Sequence, residues 1–236
     1  MNNGWVVNEK NELEEMRKNA SLQQAPAIKF VANILSYIFH PVFVPVYLVL
    51  FMVYLHPWLF IGVDPFNKTR VVLMSLVMFT LFPLVTVSLL KGLKFIESIR
   101  LKTQKDRVIP LIACGIWYFW ITYVWWNSNK TNDGLFIPKI AVALALATFL
   151  ASWLGLMVNI VMKVSLHAIS MGVMLAFIFL LAFSDSLNYG PYIVVALLIA
   201  GVVCSSRFIV SDHSAKEVYT GLVVGIGSML IANLFV

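Results

Sequence analysis

Long apolar runs recur along this chain, and they constrain its fold more than any other feature of the sequence. Most of them reach the roughly 20 residues that an α-helix needs to cross the hydrocarbon core of a bilayer. Short polar segments separate the runs, as expected for a chain that crosses a membrane repeatedly. The candidate spans are residues 30–56, 71–90, 108–126, 138–162, 168–184, 191–206 and 218–236.

The composition supports a polytopic membrane protein. Hydrophobic residues make up 61% of the chain and charged residues 12%, so one soluble core could not bury the apolar surface. Backbone groups in lipid must be satisfied within their own segment, so we predict that every span is helical. The predicted fold is therefore all-α, a transmembrane helical bundle of six to seven spans.

The N-terminal segment differs in composition from the rest of the chain. Residues 1–29 are polar and of mixed charge, and they lack the apolar region of a cleavable signal peptide. We expect the first span to act as the insertion signal and residues 30–236 to form one integral-membrane domain. Cys114 and Cys204 lie inside apolar runs, which indicates neither a disulfide framework nor a cysteine metal site.

The segment 206–217 (SRFIVSDHSAKE) places a cation, a histidine and a carboxylate together in a very apolar neighbourhood. If Glu217 opens a helix, His213 lies about one turn before it, within reach of the carboxylate. A carboxylate that holds one imidazole nitrogen leaves the other free to attack or to accept a proton. Arg207 could hold an anion for that attack. This arrangement suits phosphoryl transfer through a histidine.

A basic cluster lies immediately before the third span. It contains Arg100, Lys102, Lys105 and Arg107, and four cations in eight residues could bind a phosphate or pyrophosphate. The alternative is a cytoplasmic loop that follows the positive-inside bias. The formal net charge of +6 is concentrated in such loops, which favours anionic head groups or phosphates over nucleic acid as partners.

A third polar cluster lies at the end of the fourth span. Asn159, Lys163 and His167 have the i, i+4, i+8 spacing of one helix face, which predicts a polar stripe. The alternative is a set of interfacial side chains, with Lys163 snorkelling to the head groups. Polar groups at membrane depth are costly, which favours a functional role.

The number of spans between the clusters predicts the membrane face of each. Two spans separate Arg107 from Lys163, and two more separate His167 from Arg207. An even number of crossings returns the chain to the same side. We therefore expect the three clusters to share one face and to form one site.

Two further histidines are less informative. Pro41 and Pro45 predict a kink or a break in the first span, and His40 could either face the site or cap that break. His56 is interpreted as an interfacial residue without a role in the site.

The spacing in 206–217 resembles the third signature of the type 2 phosphatidic acid phosphatase (PAP2) superfamily. That signature is Ser-Arg, five residues, His, three residues and an acid, and members commonly carry glycine four and eight residues later. Gly221 and Gly225 stand at those two positions here.

Two other segments extend the resemblance over about residues 30–230. Residues 164–167 resemble a degenerate form of the second signature, Pro-Ser-Gly-His, and Arg100 stands seven residues before Arg107 as a variant of the first. With residues 39–41, they resemble a divergent branch of PAP2-like membrane proteins of Bacteroidetes. The chain departs from the family pattern at Glu217 (usually Asp), at Leu166 (usually Gly) and at the lysine of the first signature.

The resemblance implies a role for each site residue. His213 would be the nucleophile that forms a phosphohistidine, Glu217 would orient it, and His167 would be the general acid. Ser165 would add a hydrogen bond to the phosphoryl group. The expected phosphate-binding cations are Arg207, Arg107, Arg100, Lys102 and Lys163, and because they neutralise the charge we expect no metal ion or other cofactor.

These features lead to a function hypothesis with an alternative. The first hypothesis is a metal-independent lipid phosphatase or pyrophosphatase, acting on a polyprenyl pyrophosphate, phosphatidate, phosphatidylglycerol phosphate or a lipid A phosphate. The alternative is a catalytically degenerate protein of the same fold that binds or transports a lipid phosphate. A channel or secondary transporter is disfavoured because the charges gather at one face. We expect membrane lipids and a lipid phosphate substrate as partners, and no nucleic acid.

The expected location is a bacterial inner membrane. The positive-inside rule places the basic clusters in the cytoplasm, whereas the resemblance implies that the site faces outward. The sequence leaves the side of the site open.

Overall fold

The structure of the protein is a computed structural model that describes most of the chain. The described residues are 5–7, 13–15, 25–96, 98, 101, 104–131, 135–184, 187–210 and 213–236. Near the N-terminus, strands β1 (Trp5–Val7) and β2 (Leu13–Glu15) pair in antiparallel register. All other regular structure in the described residues is helical.

Nine α-helices follow among the described residues, and several are continued by helical turns of other types. A π-helical turn (Phe51–Leu55) extends α2 and is followed by a 3₁₀ turn (Pro57–Phe60), and a second π-helical turn (Leu76–Leu81) joins α3 to α4. The helices are α1 (Pro26–Ile38), α2 (Val44–Leu50), α3 (Pro65–Ser75), α4 (Phe82–Gly92), α5 (Gln104–Thr131), α6 (Lys139–Val161), α7 (Leu166–Ser184), α8 (Gly190–Val210) and α9 (Ala215–Phe235).

In the described part of the chain, six helical segments are long and apolar enough to cross a membrane. These are α3–α4 as one unit (Pro65–Gly92), the Gln104–Ser128 part of α5, and the four helices α6 to α9. They confirm the prediction of an all-α polytopic membrane bundle. Of the six, α7 is the most deeply buried, with α6 and α9 packed against it.

The first predicted span, 30–56, is not one helix. It is divided into α1 and α2 by a turn at residues 39–43. Pro41 and Pro45 both lack an N–H, so a continuous helix here would lose two hydrogen bonds one turn apart. The Thr80 hydroxyl donates to the carbonyl oxygen of Val42 at 2.8 Å, which satisfies one backbone group of the turn. The break brings residues near the turn into the interior of the bundle.

The predicted helical stripe of Asn159, Lys163 and His167 is also interrupted. Helix α6 ends at Val161, residues 163–165 are not helical, and α7 begins at Leu166. The three side chains therefore do not lie on one helix face. Instead Asn159 joins α6 to the start of α5, because its side-chain amide donates to the carbonyl oxygen of Gln104 at 3.0 Å.

Glycines allow α7 and α9 to approach each other closely. A β-carbon on Gly225 would overlap the backbone oxygen of Ile169, and one on Gly221 would lie 2.8 Å from the backbone oxygen of Ser165. On the opposing helix, a β-carbon on Gly172 would overlap the backbone oxygen of Leu222. This close packing sets the distance between the first turn of α7 and the first turn of α9.

Candidate active site

A cavity of about 240 Å³ lies beside the first turn of α7, between the α1–α2 turn and helices α2, α4, α5 and α8. Most of its lining is apolar. At one end three histidines and two arginines from distant parts of the chain converge: His40, Arg107, His167, Arg207 and His213. At least one residue from each of the three polar clusters therefore lines this cavity.

His213 is held by the residues that begin α9. Its Nδ1 lies 2.6 Å from Oε2 of Glu217. The same oxygen accepts a hydrogen bond from the backbone N–H of Ser214, whose hydroxyl in turn accepts one from the N–H of Glu217. A carboxylate only accepts, so the hydrogen of this bond is on Nδ1 and the lone pair of the neutral ring is on Nε2. Glu217 thus orients the imidazole in the way that the sequence spacing predicted.

The surroundings of His213 favour its neutral form. Burial is the largest cause and lowers the pKa of the imidazole below its ordinary value, while the hydrogen bond to Glu217 opposes that shift. The positive charges of Arg107 and Lys163 lower the pKa further. A neutral imidazole is the form that can act as a nucleophile.

Arg107 is fixed in the first turn of α5 by two backbone carbonyls. Its Nε donates to the oxygen of Leu101 at 2.9 Å, and its Nη1 donates to the oxygen of Val164 at 2.5 Å. The second bond ties the cation to the segment between α6 and α7. Arg107 is 6% exposed and lines the same cavity as His213.

Arg207 is fixed from the other side by α1. Its Nη1 donates to the hydroxyl of Ser36 at 2.8 Å, and that hydroxyl lies 3.3 Å from the hydroxyl of Ser206. The backbone carbonyl of Ser36 is also 3.0 Å from Nε2 of His167. A carbonyl only accepts, so Nε2 carries a hydrogen and Nδ1 is the nitrogen of His167 whose protonation can change.

His40 also belongs to the cavity. Its ring is perpendicular to that of His167, with 5.4 Å between the two centroids. Its Nδ1 is buried and has no hydrogen-bond partner among the described residues. A buried polar atom without a partner is costly, so this nitrogen is a candidate to contact a ligand.

The other predicted site residues do not line the cavity in the described part of the chain. Glu217 lies behind His213, and Lys163 acts on His213 through its charge. Arg100 and Lys102 fall outside the described residues.

Ser165 lies immediately before α7 and is not among the described residues that line the cavity. It is fully buried, and its hydroxyl accepts a hydrogen bond from the N–H of Ala168, which caps α7. Its own N–H donates to the backbone oxygen of Glu217 at 3.2 Å. The next residue, Leu166, does line the cavity, at the position where the PAP2 pattern has glycine.

Sequence reasoning assigned no role to Ser36 and left the position of His40 undecided. Ser36 lies in an apolar run. The sequence does not distinguish it from a serine whose hydroxyl bonds only to a backbone carbonyl of its own helix. It also makes such a bond, to the carbonyl oxygen of Ala32 at 2.8 Å. The one available signal for His40 was its position beside a proline inside an apolar run, which is where irregular backbone lines cavities in membrane proteins.

No protein-family model matches this chain, and neither a curated protein nor a solved structure shows significant similarity to it. The chemistry of the site must therefore be argued from its own residues.

Proposed function

We propose that this protein is a phosphatase or pyrophosphatase that cleaves a lipid phosphate through a phosphohistidine on His213. The observation that carries the proposal is the His213–Glu217 pair at the cavity, where a carboxylate holds Nδ1 and leaves Nε2 as the nucleophilic atom. The resemblance of the segment 206–217 to the third PAP2 signature supports the same assignment.

The first chemical step is attack by Nε2 of His213 on phosphorus. A P–N bond forms, and the ester or anhydride P–O bond breaks with its electron pair on the departing oxygen. Arg107 and Arg207 neutralise the charge on the phosphoryl oxygens, which is the main requirement of phosphoryl transfer. His167 gives a proton from Nδ1 to the departing oxygen, acting as a general acid.

The second step reverses these roles. Water attacks the phosphorus, His167 takes one of its protons, and the P–N bond breaks with its electron pair returning to Nε2. Inorganic phosphate leaves, and His213 and His167 are restored to their starting forms. The net reaction consumes one water for each P–O bond cleaved.

The rest of the cavity supports an amphiphilic substrate. Apart from the charged groups, the lining of the cavity is mostly apolar. Helices α2, α4, α5 and α7 contribute to it, with Leu48, Leu84, Val87, Leu111 and Val173 among its residues. A hydrocarbon chain would lie against these residues while the phosphate meets the cations. Polyprenyl pyrophosphates, phosphatidate and phosphatidylglycerol phosphate all have this chemistry.

The test is release of inorganic phosphate by the purified protein in detergent with EDTA present. We expect the wild type to release phosphate from at least one of these lipids and His213→Ala to release none while remaining folded. His56→Ala is a matched control, because His56 is also a buried histidine but packs against Tyr189, away from the cavity. Acid-labile phosphate bound to the wild type, and absent from His213→Ala, would identify the phosphohistidine.

One observation favours the alternative function of a lipid-phosphate binding or transport protein. Leu166 occupies the lining next to His167, and the neighbouring Ser165 hydroxyl is used as a helix cap. If the protein only binds its lipid, His213→Ala will keep both lipid binding and cellular function. Binding without phosphate release by the wild type would support this alternative and argue against the phosphatase.

A further inference from the structure

The charged end of the cavity has two halves, and each is built around one arginine. In the first half Arg107 bonds to the carbonyl of Val164 and acts through its charge on His213. Glu217 completes this half behind His213. This half contains the nucleophile.

The second half contains neither His213 nor Glu217. Arg207 and His167 both bond to Ser36, through its hydroxyl and its carbonyl oxygen respectively. His40 stacks edge-on against His167, and the charge of Arg207 acts on His40. One cation and two imidazoles are therefore grouped around one serine of α1.

Arg107 and Arg207 both line the cavity. Among the described residues that line the cavity there is no carboxylate. Glu217, behind His213, already accepts from His213 and from the N–H of Ser214. Each half of this end of the cavity therefore offers one arginine to an anion. One phosphoryl group could occupy either half, but a diphosphate supplies an anionic group for each.

We propose that the cavity takes a diphosphate monoester, with its terminal phosphoryl group in the His213–Arg107 half and its inner phosphoryl group in a second subsite formed by His40, His167 and Arg207. This inference rests on the proposed function and adds the substrate class and a binding role for His40. Nδ1 of His40, which has no hydrogen-bond partner in the described structure, bonds to an oxygen of the inner phosphoryl group.

The reaction at this subsite balances without a further reactant. Nε2 of His213 attacks the terminal phosphorus, and the bond from that phosphorus to the bridging oxygen breaks. The bridging oxygen leaves with the inner phosphoryl group as a phosphate monoester, stabilised by Arg207 and protonated by His167. Such a leaving group is a much weaker base than an alkoxide, so its departure depends more on nearby positive charge than on a strong acid. Water then releases inorganic phosphate from His213.

Binding of small anions tests the subsite separately from turnover. Methylenediphosphonate is a non-hydrolysable diphosphate, and methylphosphonate carries a single phosphoryl group. We expect the purified wild type to bind methylenediphosphonate tighter by on the order of tenfold to a hundredfold, since it gains charge-assisted hydrogen bonds in the second half. Equal affinity for the two probes, or binding of neither, would overturn the proposal without the use of any variant.

Variants of His40 test whether its side chain causes the difference in affinity between the two probes. We expect His40→Asn to bring the ratio of the two dissociation constants close to one, and His56→Asn, the same change at a buried histidine outside the cavity, to keep the wild-type ratio. His40→Gln serves if His40→Asn does not fold. A ratio that stays at the wild-type value in a folded His40 variant would exclude His40 from the subsite.

Turnover separates failure of this inference from failure of the proposed function. Farnesyl diphosphate and farnesyl phosphate share one chain, and we expect kcat/KM to be at least about tenfold higher for the diphosphate, with farnesyl phosphate accumulating as product. Similar values for both substrates would overturn the diphosphate subsite and leave the phosphatase standing. Absence of phosphate release from these two lipids and from the other candidates, by folded protein, would remove the proposed function itself.

Discussion

At the scale of single residues, Glu217 combines a structural and a functional task. One carboxylate oxygen accepts from the backbone N–H of Ser214 and from Nδ1 of His213. The first bond is half of a capping box that begins α9, and the second orients the imidazole. The start of the helix and the orientation of the His213 ring are thus set by the same side chain.

We expect Glu217→Gln to lower kcat by on the order of 10²-fold or more, because a neutral amide no longer stabilises the ring as it becomes cationic on attack. The amide oxygen can still cap α9, so we expect little change in thermal stability. The measurement is steady-state phosphate release together with thermal unfolding of both proteins in the same detergent. A kcat within about threefold of the wild type would contradict a role for Glu217 in positioning His213.

The pH dependence of the reaction follows from the charges around His213. Burial and the charge of Lys163 both lower the pKa of His213, so the neutral nucleophile persists below the ordinary pKa and is lost only as the pH falls further. Lys163→Gln removes one of the lowering charges and therefore raises that pKa. We expect the acid limb of kcat/KM, measured from pH 4 to 8, to move to higher pH in Lys163→Gln. A limb that moves to lower pH, or does not move, would disprove the assignment of that limb to His213.

At the scale of helices, the contact between α7 and α9 sets the geometry of the site. His167 is in the first turn of α7, and His213 immediately precedes α9. Gly225 allows the two backbones to touch, because its missing side chain leaves room for the carbonyl of Ile169. Any residue with a β-carbon at that position would push the helices apart.

We expect Gly225→Ala to destabilise the protein by about 1–3 kcal/mol through overpacking and to reduce turnover as well. Gly227→Ala is the matched control on the same helix, since a β-carbon there meets nothing within 4 Å. The measurements are thermal unfolding and phosphate release for both variants. Equal stability of the two variants would show that α7 and α9 are not in close contact at Gly225.

At the scale of the whole molecule, residues from five separate segments meet at one cavity. Helix α5 begins beside that cavity and is long enough to cross a bilayer: Lys105 and Lys130 are 25 residues apart, which corresponds to roughly 38 Å at 1.5 Å per residue. Both side chains are exposed, whereas the two native cysteines are buried. The helix therefore offers two positions that report opposite sides of the membrane.

We expect a membrane-impermeant maleimide to label only one of the two variants Lys105→Cys and Lys130→Cys in intact cells, and to label both after permeabilisation. The variant labelled in intact cells identifies the outer face, and Lys105 lies at the start of α5, as does the cavity residue Arg107. Labelling of both variants in intact cells, or of neither, would contradict the span assigned to α5.

The sequence by itself determined the features that depend on local spacing and on hydropathy. Apolar runs predicted the helical bundle, parity predicted that Arg107, His167 and Arg207 share a face, and the interval between His213 and Glu217 predicted their contact. The bundle and the contact are confirmed, because the bilayer fixes the length of a span and because residues one turn apart at the start of a helix lie side by side. For the shared face, the structure shows that the three residues line one cavity.

Only the tertiary structure decided which distant side chains contact each other. Ser36 bonds to Arg207 and His167, far away along the chain, and no periodicity in α1 distinguishes it from a serine that bonds only within its helix. The proline break places His40 at the cavity, and the end of α6 at Val161 turns Ser165 into a helix cap. Such contacts depend on how helices pack, and the pattern of apolar and polar residues along one helix does not contain that information.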